Sequence, residues 1–282
     1  MHDDTATRAD LAPDAPLARP FPGASPYDEY VHAHVLNTLQ NPLTKSADEM
    51  CFLVTTQVME LWFTLIVHEW RTAQEAFAMD DLTAALGALR RSSRAMETLC
   101  ASWRPLSALT PAQFEGFRSA LGKASGVQSA MYRHLEFLIG LKSEALLRAH
   151  RGKPSVHESL CRAYLQPSLY DEVLRYLHRH GLPVPRAVCE RDVTAPYAAH
   201  PGVVEAWRHI YTGPQHHPLV ALGESLTDIA EGFTRWRTAH VMAVRRILGT
   251  KAGSAGSSGL AWLETRAREP VFPELWEVRG VL

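Results

Sequence analysis

Four cysteines in 282 residues, Cys51, Cys100, Cys161 and Cys189, are too few and too scattered for the disulfide framework of a small secreted domain. No pair stands in the C-x-x-C spacing of a structural metal site. Reduced thiols in a cytoplasm are the expectation. A charge excess is missing too. Lys and Arg total 29 against 30 Asp and Glu, a formal net charge of −1. The pairs Arg90-Arg91 and Arg245-Arg246 do not form the stripe that a phosphate backbone attracts, so no nucleic-acid partner is expected. No run reaches the roughly 18 apolar residues of a membrane span, and no membrane partner is expected either. The acidic, Pro/Ala-rich residues 1–24 lack the basic-then-apolar order of a leader. They read as an N-terminal arm ahead of one domain, residues 25–282. Strand alternation is almost absent and no fixed-period repeat occurs.

What remains is apolar and helical. Hydrophobic residues at 46% and charged residues at 21% suffice for a sizeable core. Residues from about 48 to 79 are apolar on nearly every face, as in a central helix, and Leu82, Ala85, Leu86 and Leu89 recur at helical spacing. Thr110-Pro111-Ala112-Gln113 supplies an N-cap, a first-turn proline and a capping-box glutamine, so a helix should carry Phe114, Arg118 and Leu121. Four prolines between Pro183 and Pro201 mark a long connection. The expected fold class is all-α, a helical bundle.

One helix carries an anomaly. Leu226, Ile229, Phe233, Trp236, His240, Val244 and Ile247 follow one another in threes and fours, placing His240 on the buried stripe. A polar ring on a core face needs a partner, and a hydrogen bond and a metal are both open on the residues alone. Beyond Arg245-Arg246 the chain breaks into the Gly/Ser-rich stretch 249–259. By composition that is a flexible linker, yet the Trp- and Leu-rich tail that follows, from Leu260 to Trp276, argues for a loop between packed elements.

Trp236-Arg237-x-x-His240, followed by Gly249-Thr250-Lys251 and Gly256-Ser257-Ser258-Gly259, resembles the haem-binding end of the tryptophan 2,3-dioxygenase family. Three further stretches agree: Asp48-Glu49-Met50 with Glu60-Leu61-Trp62 and His68-Glu69; Phe114-x-x-Phe117-Arg118 with Ala124-Ser125-Gly126-x-Gln128-Ser129; and Ser168-Leu169-Tyr170-Asp171-Glu172. The likeness runs in register from about Tyr27 to Leu282. It implies an all-helical haem b protein. It also implies a homotetramer, or a dimer, in which one subunit's N-terminal segment helps to close a neighbour's site.

The resemblance assigns roles. His240 becomes the proximal iron ligand, with Ser125, Gly126 and Trp236 beside the haem. Arg118 becomes the clamp for an amino-acid carboxylate, which suits the bidentate guanidinium fork; Phe114 and Leu121 flank it. Ser254 matches a loop hydroxyl that meets the substrate ammonium, Phe52 an aromatic wall over the indole, and Tyr27 and Tyr30 tyrosines at the entrance. One departure bears on the chemistry. Where the family places a distal histidine, this chain reads Thr55-Thr56-Gln57. Thr56 donates one hydrogen bond but is no general base near neutral pH. Met59 and Val127, where tyrosine and phenylalanine are usual, reshape the same region. The related indoleamine dioxygenases carry a distal serine and still insert both oxygen atoms.

Three functional readings follow. The first is dioxygenation of L-tryptophan, or a close indole amino acid, to an N-formylkynurenine-type product, with Thr56 bonding to oxygen or to the indole nitrogen. The second is monooxygenation of tryptophan, a substituted tryptophan or tyrosine with dioxygen or peroxide. The third is a haem-binding sensor without turnover.

Overall fold

The computed structural model describes residues 25–215, 217–249 and 259–282, and they divide into two compact units at Asn41 and Pro42. In the first unit Ser25 caps α1 (Pro26–Val31) by accepting from the Asp28 amide at 3.1 Å, with Pro26 at a first-turn position that needs no amide. His32 takes a left-handed conformation, φ 54°, before α2 (Ala33–Leu36).

Among its described residues, all regular structure of the second unit is helical. It opens on α3 (Ala47–Ala78), whose start is fixed by Glu49. This carboxylate accepts from the amides of Leu43 and Thr44 at 2.6 and 2.7 Å, which offsets orphan donors ahead of the helix. A turn through Asp80, φ 57°, returns the chain into α4 (Leu82–Ala101), which packs along α3. Next come α5 (Trp103–Ser107) and α6 (Pro111–Arg118), the latter with the expected capping box between Thr110 and Gln113. A short 3-10 turn, Gly126–Gln128, leads into α7 (Ala130–Leu138). Then follow α8 (Glu144–Arg148), α9 (Pro154–Leu165) and α10 (Leu169–Arg179). The proline-rich connection holds one short turn of helix, α11 (Arg186–Cys189), before α12 (Pro201–Thr212). The chain closes with α13 (Pro218–Leu248), α14 (Leu260–Ala267) and α15 (Pro273–Glu277).

The long helices α3 and α13 organise the core. α3 lies against α4, α7 and α10, and α13 lies against α4, α5 and α14. Ile66, Trp70, Ala73 and Phe77 of α3 are fully buried, spaced by threes and fours along one face. The Trp70 indole donates to the Ser92 hydroxyl at 3.0 Å, so the largest core side chain leaves no orphan donor. Gly232 of α13 faces Met96 of α4, and a Cβ there would come within 2.7 Å of the Met96 side chain. The two helices approach this closely because glycine has no side chain. At the chain end, Glu274 accepts from the Tyr197 and Tyr170 hydroxyls at 2.6 and 3.1 Å and from the His200 amide at 2.9 Å, tying α15 to the body.

Two expectations are corrected. The sequence pattern put apolar residues on nearly every face of a buried central helix, yet Met50, Val54, Val58, Leu61 and Leu65 of α3 form an exposed apolar stripe. The same helix is long and apolar enough by composition to cross a membrane, with an 18-residue window of mean hydropathy 1.7. A search for unbroken apolar runs misses it because isolated polar residues such as Glu60 interrupt the run. Its other face packs in the bundle core.

Candidate active site

α3 turns Phe52, Thr56, Met59 and Phe63 to one side, since side chains three and four apart share a helix face. They line a cavity of about 1150 Å³, counted to its open mouth, together with Trp103 of α5, Phe114 of α6, and Trp236 and His240 of α13. Its walls are mainly aromatic and aliphatic, the usual setting of a small-molecule site.

His240 packs against two indoles. Its ring lies 4.7 Å from that of Trp103 at an interplanar angle of 16°, and 5.8 Å from that of Trp236 at 51°. Burial pushes its pKa down to about 4, so at neutral pH the ring is uncharged and has a lone pair to give. It makes no hydrogen bond with the other described residues. The buried indole N–H groups of Trp103 and Trp236 likewise meet no acceptor among them.

These features bear on which cofactor fits. Among the described residues there is no group of three His, Cys, Asp or Glu side chains that could hold a bare metal ion. One imidazole suffices when the cofactor brings the remaining ligands, as an iron porphyrin does. A neutral ring with no hydrogen bond among the described residues, on the wall of an apolar, aromatic cavity, is therefore suited to haem.

The polar groups sit in two places. Thr56 uses its one hydroxyl proton within its own helix, toward the carbonyls of Leu53 at 2.8 Å and Phe52 at 3.0 Å. Toward the cavity it offers lone pairs. One turn on, the Glu60 carboxyl is raised by burial, against an opposing hydrogen bond from Ser129.

The second place is a charge cluster at the cavity edge, where Tyr132, Glu136, Arg237 and Arg266 line the wall. Glu136 pairs with Arg133 and accepts from Arg237 at 2.5 Å and Arg266 at 2.9 Å. Arg237 also donates to the Tyr132 hydroxyl at 2.9 Å, and Glu269 accepts from Arg237 at 3.3 Å and Arg266 at 2.5 Å. Burial pushes the Arg133 guanidinium down to about 10, so it keeps its charge at neutral pH. Three cations thus surround two carboxylates.

The family model described as tryptophan 2,3-dioxygenase matches residues 18–211 and 208–282. The chain belongs to the tryptophan 2,3-dioxygenase family. Among curated relatives, the tryptophan 2,3-dioxygenase of Bradyrhizobium diazoefficiens is 40% identical over 91% of this chain and 92% of its own length. That of Polaromonas naphthalenivorans is 38% identical over 98% and 99%, and that of Bordetella pertussis 39% over 90% and 89%. The tryptophan 2,3-dioxygenase resemblance read from scattered motifs is thereby established over residues 18–282, and the all-helical fold agrees with it.

Of the residues that the dioxygenase motifs singled out, Phe52, Thr56, Phe114, Gly126, Trp236 and His240 come together around the one cavity. Ser125 caps the 3-10 turn, accepting from the Val127 amide at 3.4 Å, and does not itself line the cavity. Arg118 ends α6 with a quarter of its side chain exposed and a Glu115 carboxylate 3.8 Å away; Leu121 follows in a 3-10 turn. The helix tightens after Arg118, so the shared face expected for Phe114, Arg118 and Leu121 ends at α6, and of the three only Phe114 lines the cavity. Tyr27 and Tyr30 lie on α1 of the first unit, 69% and 87% exposed. Ser254 lies outside the described residues.

The motif reading passed over Trp103, Tyr132 and Glu136. Nothing marks Trp103 in the sequence, because its partner His240 is 137 positions away. Arg133 and Glu136 did carry a signal: opposite charges three apart inside the apolar stretch of α7 imply a buried pair.

Proposed function

We propose that this chain is a haem-dependent oxidoreductase that inserts both atoms of dioxygen across the C2–C3 bond of L-tryptophan, or a close indole amino acid. The product is of the N-formylkynurenine type. The observation that carries this reading is His240, a neutral imidazole with no hydrogen bond among the described residues, on the wall of an aromatic cavity. His240 would hold the iron, with Trp236, Ser125 and Gly126 beside the cofactor. The haem, when bound, supplies the site at which dioxygen is activated.

The protein's own residues bind, orient and exclude water. Phe52 and Phe114, 5.8 Å apart, provide apolar rings against which an indole packs. Thr56, its proton already committed to the helix, suits the indole N–H as an acceptor better than it suits dioxygen as a donor. Arg118 and Ser254 take the substrate carboxylate and ammonium, as in the family. Tyr27 and Tyr30 serve at the entrance of a neighbouring subunit's site in a homotetramer. The exposed stripe from Met50 to Leu65 supports subunit contact at α3. The four unpaired thiols support a cytoplasmic setting.

The test is mass spectrometry of the product formed by ferrous, haem-loaded protein with L-tryptophan under isotopically labelled dioxygen, run beside a peroxide-supplied reaction. Two labelled atoms in one product are expected. One oxygen atom, gained only with peroxide, would assign monooxygenation instead, and haem binding without any product would assign a sensor. A His240→Ala protein should lose the haem and its spectrum; retention of both would overturn the ligand assignment.

A further inference from the structure

Trp103 faces two spaces at once. Its indole stacks on His240 at the cavity wall, and it also lines an outer groove formed with Cys100, Arg104, Ser107, Ala108, Ala239 and Met242. Of the residues that line the groove, Trp103 is the one that also lines the cavity and stacks on the imidazole. The residue opens α5, and this five-residue helix packs against α3, α4 and α13, so the ring is held by the core and not by a free loop. A second contact, 5.5 Å from the Trp236 ring at 45°, closes a three-ring cluster of Trp103, Trp236 and His240.

Stacked rings resist rotation, because the near-parallel geometry is lost when either ring turns. An imidazole ligand with no hydrogen-bond partner on its second nitrogen lacks the usual device that sets its orientation. His240 makes no such bond among the described residues, while its ring is within 16° of the Trp103 plane. We infer that Trp103 is the positioning residue of the iron ligand: its indole fixes the rotation of the His240 ring and closes that side of the cofactor against water from the outer groove. The inference rests on the assignment of His240 as ligand. It gives the orientation of the ligand to π-stacking, where metal sites more often use a carboxylate or carbonyl.

The experiment uses the haem-loaded protein and two readouts besides turnover. One is the rate at which haem passes to an excess of a haem-scavenging apoprotein. The other is the iron–histidine stretching band of the ferrous protein in resonance Raman. Trp103→Ala should speed haem loss roughly ten-fold and shift or broaden the band, while Trp103→Phe, which keeps a stacking ring, stays within about three-fold with the band in place. If Trp103→Ala melts early, Trp103→Leu replaces it, filling the volume without a ring. Haem loss and band both unchanged in the ringless variant would overturn the inference. His240→Ala, measured in parallel, separates the two assignments: retention of haem and spectrum there refutes the ligand reading itself, whereas loss there with no effect at Trp103 refutes only the positioning role.

Discussion

Glu136→Gln should be among the most damaging single-atom changes available in this protein. The carboxylate is 1% exposed and shared by Arg133, Arg237 and Arg266, whose side chains are 0, 4 and 16% exposed. Removing its charge leaves, among the described residues of the cluster, Glu269 as the remaining carboxylate; it is 31% exposed and pairs with Arg237 and Arg266 but not with Arg133. Breaking a buried pair by neutralising one partner costs about 3 to 5 kcal/mol, because the remaining charge stays buried without compensation. Unfolding entropy near 60 °C, roughly 2.1 cal/mol/K per residue, gives about 0.6 kcal/mol/K for a chain of 282 residues, so Tm should fall by about 5 to 8 °C. Because the cluster is dry, the loss should persist at high salt, unlike that of an exposed pair. Thermal melts of the protein with and without about 0.5 M added salt, several times physiological ionic strength, check both points. A fall below about 1 kcal/mol, or one that vanishes in salt, would mean that Glu136 is solvated and that the cluster is no buried network.

Glu274→Gln places an amide N–H₂ among the three donors from Tyr170, Tyr197 and His200; the expected cost is about 2 to 4 kcal/mol, seen as a lowered urea midpoint with unchanged slope. Thr56→Val keeps the shape and removes the hydroxyl. It should lower kcat/KM for L-tryptophan about five- to ten-fold while leaving turnover of 1-methyl-tryptophan, which has no indole N–H, unchanged; equal losses on both would refute the acceptor role. Acid should destabilise the fold through His134 and His240. Burial pushes both down to about 4, with Arg71 next in order for His134. The folded values lie below the unfolded value near 6.5, so the unfolded chain binds more protons between them. Stability is therefore complete above about pH 6.5 and falls towards pH 4, by on the order of 3 kcal/mol per histidine. Denaturant titrations at pH 7 and pH 4.5 should show this, and His134→Gln should flatten the slope; equal stability at both pH values would refute it.

Local rules were legible in the chain. The Thr110–Gln113 capping box, the repeat from Leu82 and the stripe toward His240 each depend on residues a turn or two apart; the first two formed as the spacing predicted, while the stripe is buried from Leu226 to Trp236 and then opens, with His240, Val244 and Ile247 half-buried on the cavity wall. The family motifs were legible for the same reason, since each is a short run of neighbours. Other features depend on helices distant in sequence meeting in space. The face of α3 that stays exposed was hidden, because an apolar residue reads alike whether it meets a core or an open surface. The end of α6 at Arg118 was hidden too, because the tightening into a 3-10 turn is a backbone adjustment that side-chain spacing does not report.

His240 divides the two kinds of information. Its place on the apolar stripe of a helix follows from a period of 3.6 residues, which the chain sets by itself. Its lack of a hydrogen-bond partner among the described residues, its stacking on Trp103 and its neutrality come from α5 and α13 packing together. Desolvation and ring contact are properties of the folded core, which exists only after segments more than a hundred residues apart have been brought within a few ångströms.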